Sequence, residues 1–149
     1  MINIVAFLTV NKHKGITVLV WLYTGWYRFL IRFIPMRYLR KHFGIEGEES
    51  SEVATLEQLR YAKMISGYVN QSTKYTPWES KCLVRALTAQ RLLKRRKIDS
   101  TLYLGVGKDN DKMIAHAWLR CGGISVTGGD GSGYAIVARY KMAASANEN

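Results

Sequence analysis

The 149-residue chain is poor in cysteine and proline, with two of each. Cys82 and Cys121 stand alone, without C-x-x-C spacing. That excludes a cysteine metal knuckle and a disulfide-stapled scaffold, leaves room for one disulfide at most, and favours a reducing compartment. Acidic residues are missing from residues 1–45, a stretch that carries Lys12, Lys14, Arg28, Arg32, Arg37, Arg40 and Lys41. No apolar run is long enough to span a bilayer before Arg28 and Arg32 interrupt it. No small-x-small cleavage site follows the apolar N-terminal stretch, so a secretory signal is not expected. Repeats and low-complexity tracts are also missing. The expected location is cytoplasmic, with membrane association of the N-terminal helix as a second expectation.

What is present is the length of one domain and enough apolar residues, 48%, to build a core. The net charge of +11 raises three partner classes: nucleic acid, an anionic membrane and an acidic polypeptide. The basic residues are dispersed between apolar helices and match no RNA or DNA motif, so nucleic acid is not the expected partner. "KRRK", Lys94 to Lys97, suits a helix C-terminus through the helix dipole.

The patterning gives an α+β fold. Residues 16–34 read as a helix with Leu19, Leu22, Trp26, Phe29 or Leu30, and Phe33 at helical spacing. Arg28 and Arg32 mark its polar side, Pro35 ends it, and "MRYLRKHFG" adds a short helix closed by Gly44. The helix docks on the core or offers Trp26, Arg28 and Arg32 to a partner or membrane surface. The polar "GEESSEVA" separates a basic, hydrophobic helical segment, 1–50, from a core, 51–149. Thr55 and Gln58 form a capping box for a helix with Leu56, Leu59, Ile65 and Val69 on its apolar side. Thr76, Pro77 and Glu79 suit a second capping box, which places Cys82 in the second turn; a start near Ser80 places it in the first. After Asp99 the period becomes alternating. "STLYLGVG", "KMIAHAWLRC", "GISVTGG" and "GYAIVARYKM" read as four strands in an antiparallel meander.

Two residues carry the candidate chemistry. Unpaired amides at a helix start favour a thiolate, which suits Cys82 as a nucleophile. His116 sits mid-strand, on one face with Ile114, Trp118 and Arg120. Taken singly, Cys82 fits a small core residue and His116 a satisfied strand residue. Taken together, a helix-start cysteine and a strand histidine match Cys–His acyl chemistry. Asp130 is the acid left to orient the imidazole, with a plain turn aspartate as the alternative. No metal or cofactor is expected.

"WESKCLVRAL", Trp78 to Leu87, followed by "LLKRRKI", "LYLGVG" and "AHAW", resembles the lasso-peptide leader peptidases. These are papain-related, transglutaminase-like cysteine proteases. The resemblance covers roughly Leu56 to Tyr140, and the N-terminal apolar, basic stretch also looks like the family's helices. It implies a papain/transglutaminase-like fold, with a Cys-bearing helix packed on an antiparallel sheet of about four strands. It implies removal of the leader from a ribosomal precursor peptide, with Cys82 as nucleophile and His116 as base. Many relatives carry an Asp shortly after the His; here Thr127 and Gly128 stand near that place and Asp130 slightly beyond. Either Asp130 bends in, or a backbone or hydroxyl group orients the ring. Trp118 and Arg120 are candidates for the substrate cleft. The implied partners are the precursor peptide, a separate leader-recognition protein and an asparagine-synthetase-like lasso cyclase. The other classes in play are a non-catalytic peptide-binding module of the same fold and a basic nucleic-acid-binding domain.

Overall fold

The computed structural model describes residues 14–72 and 81–142. Helix α1 (Lys14–Phe33) leads to a short α2 (Met36–Leu39), a 3-10 turn (Arg40–His42) and a two-residue strand β1 (Ile45–Glu46). Helices α3 (Leu56–Ser72) and α4 (Cys82–Arg95) follow, then β2 (Ser100–Asp109), β3 (Lys112–Cys121), β4 (Ile124–Thr127) and β5 (Ala135–Met142). The α+β expectation holds. The sheet has five strands, because Ile45 and Glu46 pair with Lys141 and Tyr140 at its edge.

The strand order is β1-β5-β2-β3-β4, all antiparallel. This departs from the expected meander: β5 does not continue beside β4 but returns to pair with β2. The loop 128–134 makes the return, and Gly128, Gly129, Gly131 and Gly133 all hold positive φ there. A β-carbon on Gly131 would lie 2.5 Å from the Trp118 ring, so the loop backbone runs directly over that indole.

Helices α1, α3 and α4 pack on one another, and α4 lies against β2, β3 and β4. α4 is central: Val84, Ala86, Leu87, Ala89, Leu92 and Leu93 are all buried. Its C-terminus closes in a Schellman motif. Ile98 N–H donates to Leu93 C=O at 3.0 Å, and Lys97, at φ 58°, donates to Lys94 C=O at 2.9 Å. The Thr55–Gln58 capping box forms as read from the sequence, with both reciprocal bonds at 3.1 Å. In α3 the core-facing residues are Ala62, Ile65 and Val69, while Leu56 is exposed.

Of the residues at helical spacing in α1, Leu19 and Leu30 pack on the core. Leu22, Trp26, Phe29 and Phe33 are exposed, whereas Thr17, Val20 and Thr24 are buried. Apolar residues occur on nearly every side of α1, so its spacing alone could not choose the face. Thr24 tolerates burial because its hydroxyl donates to Trp21 C=O at 3.0 Å.

Residues 14–50 share the core of the rest. Val20, Leu39 and Phe43 join the cluster built by α3, α4 and the sheet. Each such burial stabilises by roughly 1.5–3 kcal/mol. Phe43 meets Tyr140 edge-on at 5.4 Å, and its carbonyl accepts from buried Gln90 at 2.8 Å. Ser50, at the expected boundary, is itself buried and bonded to Thr101.

Candidate active site

Helix α4 begins at Cys82. Lys81 before it is extended, at φ −74° and ψ 173°, and gives no side-chain cap. The helical ladder opens with Arg85 N–H to Lys81 C=O at 3.0 Å. Cys82 is therefore the first helical residue, not one of the second turn, and its N–H is among those a helix cannot satisfy internally. Thr76, Pro77, Trp78 and Glu79 lie outside the described residues. The Cys82 thiol is free, half-buried and packed against the core cluster.

His116 stands on β3, opposite Gly105 of β2. A β-carbon on Gly105 would come within 2.8 Å of the Trp118 ring, so its bare backbone admits the aromatic cluster. The imidazole stacks on Tyr134 at 4.6 Å and on Trp118 at 5.8 Å. Its Nε2 lies 2.7 Å from the backbone carbonyl of Gly128. A carbonyl oxygen only accepts, so Nε2 carries a proton, and in the neutral tautomer this contact selects the lone pair lies on Nδ1. The tautomer is thus assigned by its partner.

Asp130 is two residues further on and fully exposed. Its carboxylate accepts from Ser132 N–H at 2.9 Å, and the hydrogen bonds from the Ser132 side chain and backbone hold it below the usual aspartate range. It closes its own turn. Among the described residues, the hydrogen bond to His116 comes from Gly128 and not from Asp130.

Strand alternation separates the other groups. Ala117, Leu119 and Cys121 belong to the core cluster that Cys82 packs against. His116, Trp118 and Arg120 take the alternate face of β3. Among the described residues no hydrogen bond joins Cys82 to His116. Cys121 is buried, and that burial pushes its thiol up from the ordinary value.

Trp118 is buried between Tyr103, stacked at 5.4 Å, and Tyr134 at 6.1 Å. Arg120 is a strap. Its Nε donates to the Tyr103 hydroxyl at 3.0 Å, and its terminal nitrogens donate to Gly122 C=O at 2.6 Å and Ser50 C=O at 2.7 Å. Longer bonds reach Ser51 C=O and Thr101 Oγ1 at 3.4 Å. The Tyr103 hydroxyl donates in turn to Glu49 at 2.7 Å, and Arg139 pairs with the same carboxylate at 3.3 Å. Burial raises the Tyr103 hydroxyl, Arg120 opposes and Glu49 adds to the rise.

A groove of about 280 Å³ runs along this face, lined among others by Glu49, Tyr103, Trp118, Ser125, Asp130 and Tyr134. A larger cavity of about 410 Å³, near Gln58 and Asp99, contains none of the candidate residues. Trp26, Arg28 and Arg32 are on α1, outside both cavities. Tyr103, Tyr134 and the Gly128 carbonyl were not singled out in the sequence. The period-two pattern of β2 could have paired Tyr103 with Trp118; nothing in a residue type marks a backbone carbonyl. Among the described residues, no three His, Cys, Asp or Glu side chains converge to hold a metal ion.

A family model described as the transglutaminase-like superfamily matches residues 30–139. That range contains Cys82, His116 and Gly128. No curated protein matches, and no solved structure matches. With a match over well more than half its length, joined to a helix-start cysteine, a strand histidine and an antiparallel sheet, the chain belongs to the transglutaminase-like superfamily.

Proposed function

We propose that the protein is a cysteine peptidase that cuts the leader from a ribosomally made precursor peptide of the lasso class. The observation that carries the reading is the His116 tautomer. A ring that donates from Nε2 to a carbonyl presents a basic Nδ1, which is what thiol activation requires. Membership of the superfamily, together with Cys82 as the first residue of α4, supports taking Cys82 as the nucleophile. The motifs around Cys82 and His116 supply the resemblance to leader peptidases.

In this mechanism the Cys82 Sγ proton passes to His116 Nδ1, and sulfur attacks the scissile carbonyl carbon. The oxyanion forms beside the Cys82 N–H, a donor at the helix start. The C–N bond breaks as the leaving amine takes the proton from His116. Water, deprotonated by the same nitrogen, then hydrolyses the thioester, releasing the leader carboxylate and restoring the thiol. Gly128 C=O steadies the imidazolium in the place where an acid or amide side chain often serves. The first proton transfer requires Cys82 and His116, which share no hydrogen bond in the free protein, to come within reach of each other in the peptide complex. The groove beside Trp118 and Tyr134 receives the precursor. A leader-recognition protein presents it, and an asparagine-synthetase-like cyclase takes the released core peptide.

One observation favours a second reading, a peptide-binding module without chemistry: the missing Cys82–His116 hydrogen bond. Mass spectrometry of precursor incubated with the protein and its recognition partner separates the two. The peptidase reading expects leader release that Cys82→Ala abolishes. Release at an unchanged rate in that variant removes Cys82 as nucleophile. Retained binding without release by the wild type favours the module.

A further inference from the structure

We infer that the outer face of α1, continued by α2, is a docking surface for an anionic lipid membrane. Val18, Leu22, Trp26, Phe29 and Phe33 follow one another at steps of three or four and are all exposed, between 48% and 67%. They therefore form one stripe along the helix. The stripe is ordered within itself: Trp26 stacks on Phe29 at 6.1 Å, and Phe29 meets Phe33 at 4.8 Å. Beyond Pro35 the exposed Ile34, Met36 and Tyr38 extend it. Eight large apolar side chains thus face outward within 21 residues, where a soluble surface scatters them singly.

Charge selects the occupant. From residue 15 to 45 the chain has no acidic side chain, but carries Arg28, Arg32, Arg37, Arg40 and Lys41. The cations sit beside the aromatic rings. The Arg32 guanidinium lies 5.9 Å over Phe33, and Arg37 and Lys41 lie 4.9 Å and 6.0 Å over Tyr38. A helix with Trp and Phe on one face and only cations at its flank suits the boundary between acyl chains and anionic headgroups. A second copy of the chain would bring the same five cations against themselves. No described helix is long and apolar enough to cross a membrane, so this one lies on it. The opposite face of α1 is held on the core through Val20, which fixes the aromatic stripe outward without further rearrangement.

The test uses the full chain and vesicles of phosphatidylcholine with or without phosphatidylserine. Flotation with the phosphatidylserine vesicles is expected, weakened about tenfold or more by omitting that lipid or raising the salt. The paired substitution Trp26→Glu and Phe33→Glu should cut binding by a similar factor while leaving the circular dichroism melt unchanged. These sites are exposed, so folding survives. Arg32→Glu with Arg37→Glu should weaken flotation on the anionic vesicles only. No flotation with phosphatidylserine vesicles overturns the proposal, as does flotation indifferent to the apolar pair. A wild-type dimer in light scattering that the Trp26/Phe33 variant converts to monomer also overturns it, because the stripe is then a protein interface.

Discussion

The imidazole of His116 donates through Nε2 to the backbone carbonyl of Gly128, 2.7 Å away. Of the two orienters the sequence leaves open, Asp130 or a backbone or hydroxyl group, it is a main-chain oxygen that touches the ring. This has a direct consequence for substitutions. Gly128→Ala places a β-carbon 2.5 Å from Ala117 C=O at a φ of 76°, so the carbonyl must move. Leader release should fall roughly ten- to a hundredfold, as expected when a catalytic group is misplaced. Asp130→Asn should stay within about twofold, as surface changes usually do. A ¹⁵N spectrum of the wild type should show the neutral His116 ring in the Nε2–H tautomer. Loss of release in Asp130→Asn, with Gly128→Ala active, would transfer the orienting role to Asp130.

The two thiols should be chemically distinct. Cys82 is half-buried at a helix start, while Cys121 is fully buried and its thiol is raised by that burial. Iodoacetamide should label Cys82 in the folded protein and Cys121 only after denaturation, as peptide mapping can show.

Arg120 should behave as a structural strap. Arg120→Ala leaves the Gly122 and Ser50 carbonyls without their charged donor and should cost about 2–3 kcal/mol in urea unfolding. Arg120→Lys should not restore stability, because one ammonium cannot reproduce the forked guanidinium. A stable Arg120→Ala protein with a raised KM for precursor would assign the residue to substrate instead.

Stability should decline in alkali. Burial raises the Cys121 thiol above 9.0 and the Tyr27 and Tyr103 hydroxyls above 10.0. For each, the unfolded chain loses its proton first. Their contribution is full below the unfolded value and is lost as pH rises through the folded one. Tyr23 moves the other way: burial raises it, but Arg95 and Arg91 together outweigh burial and lower it. Three groups against one predict a urea midpoint that falls as pH rises past 9.0 and 10.0. A midpoint that rises over that range would contradict the burial of these groups.

Local chemistry was legible in the sequence wherever two side chains or a turn decided the matter. The Thr55–Gln58 box, the break at Pro35 and the strand pattern around His116 all belong to this kind. Faces were legible only where polar residues mark one side. α3 and β3 have such a side; α1 does not, so the sequence leaves open whether its Leu22–Phe33 stripe meets the core or a partner surface. Strand order was hidden because it depends on where the glycine loop 128–134 can travel, and Trp118 decides that by lying under it. The site divides the same way. Cys82 and His116 announce themselves by residue type, and Tyr134 becomes visible only once the loop brings it onto the imidazole.

The position of β5 has a consequence for synthesis on the ribosome. This strand lies between β1 and β2, and β1 has no other strand to pair with among the described residues. Phe43 likewise waits for Tyr140, nearly a hundred residues later in translation. A nascent chain can coil its helices and close the β2–β3 hairpin early, since those contacts are local. It cannot seat β1 until β5 has left the exit tunnel. Until then the outward aromatics of α1 and the open flank of β2 are exposed together, which makes the unfinished chain a natural client for chaperones.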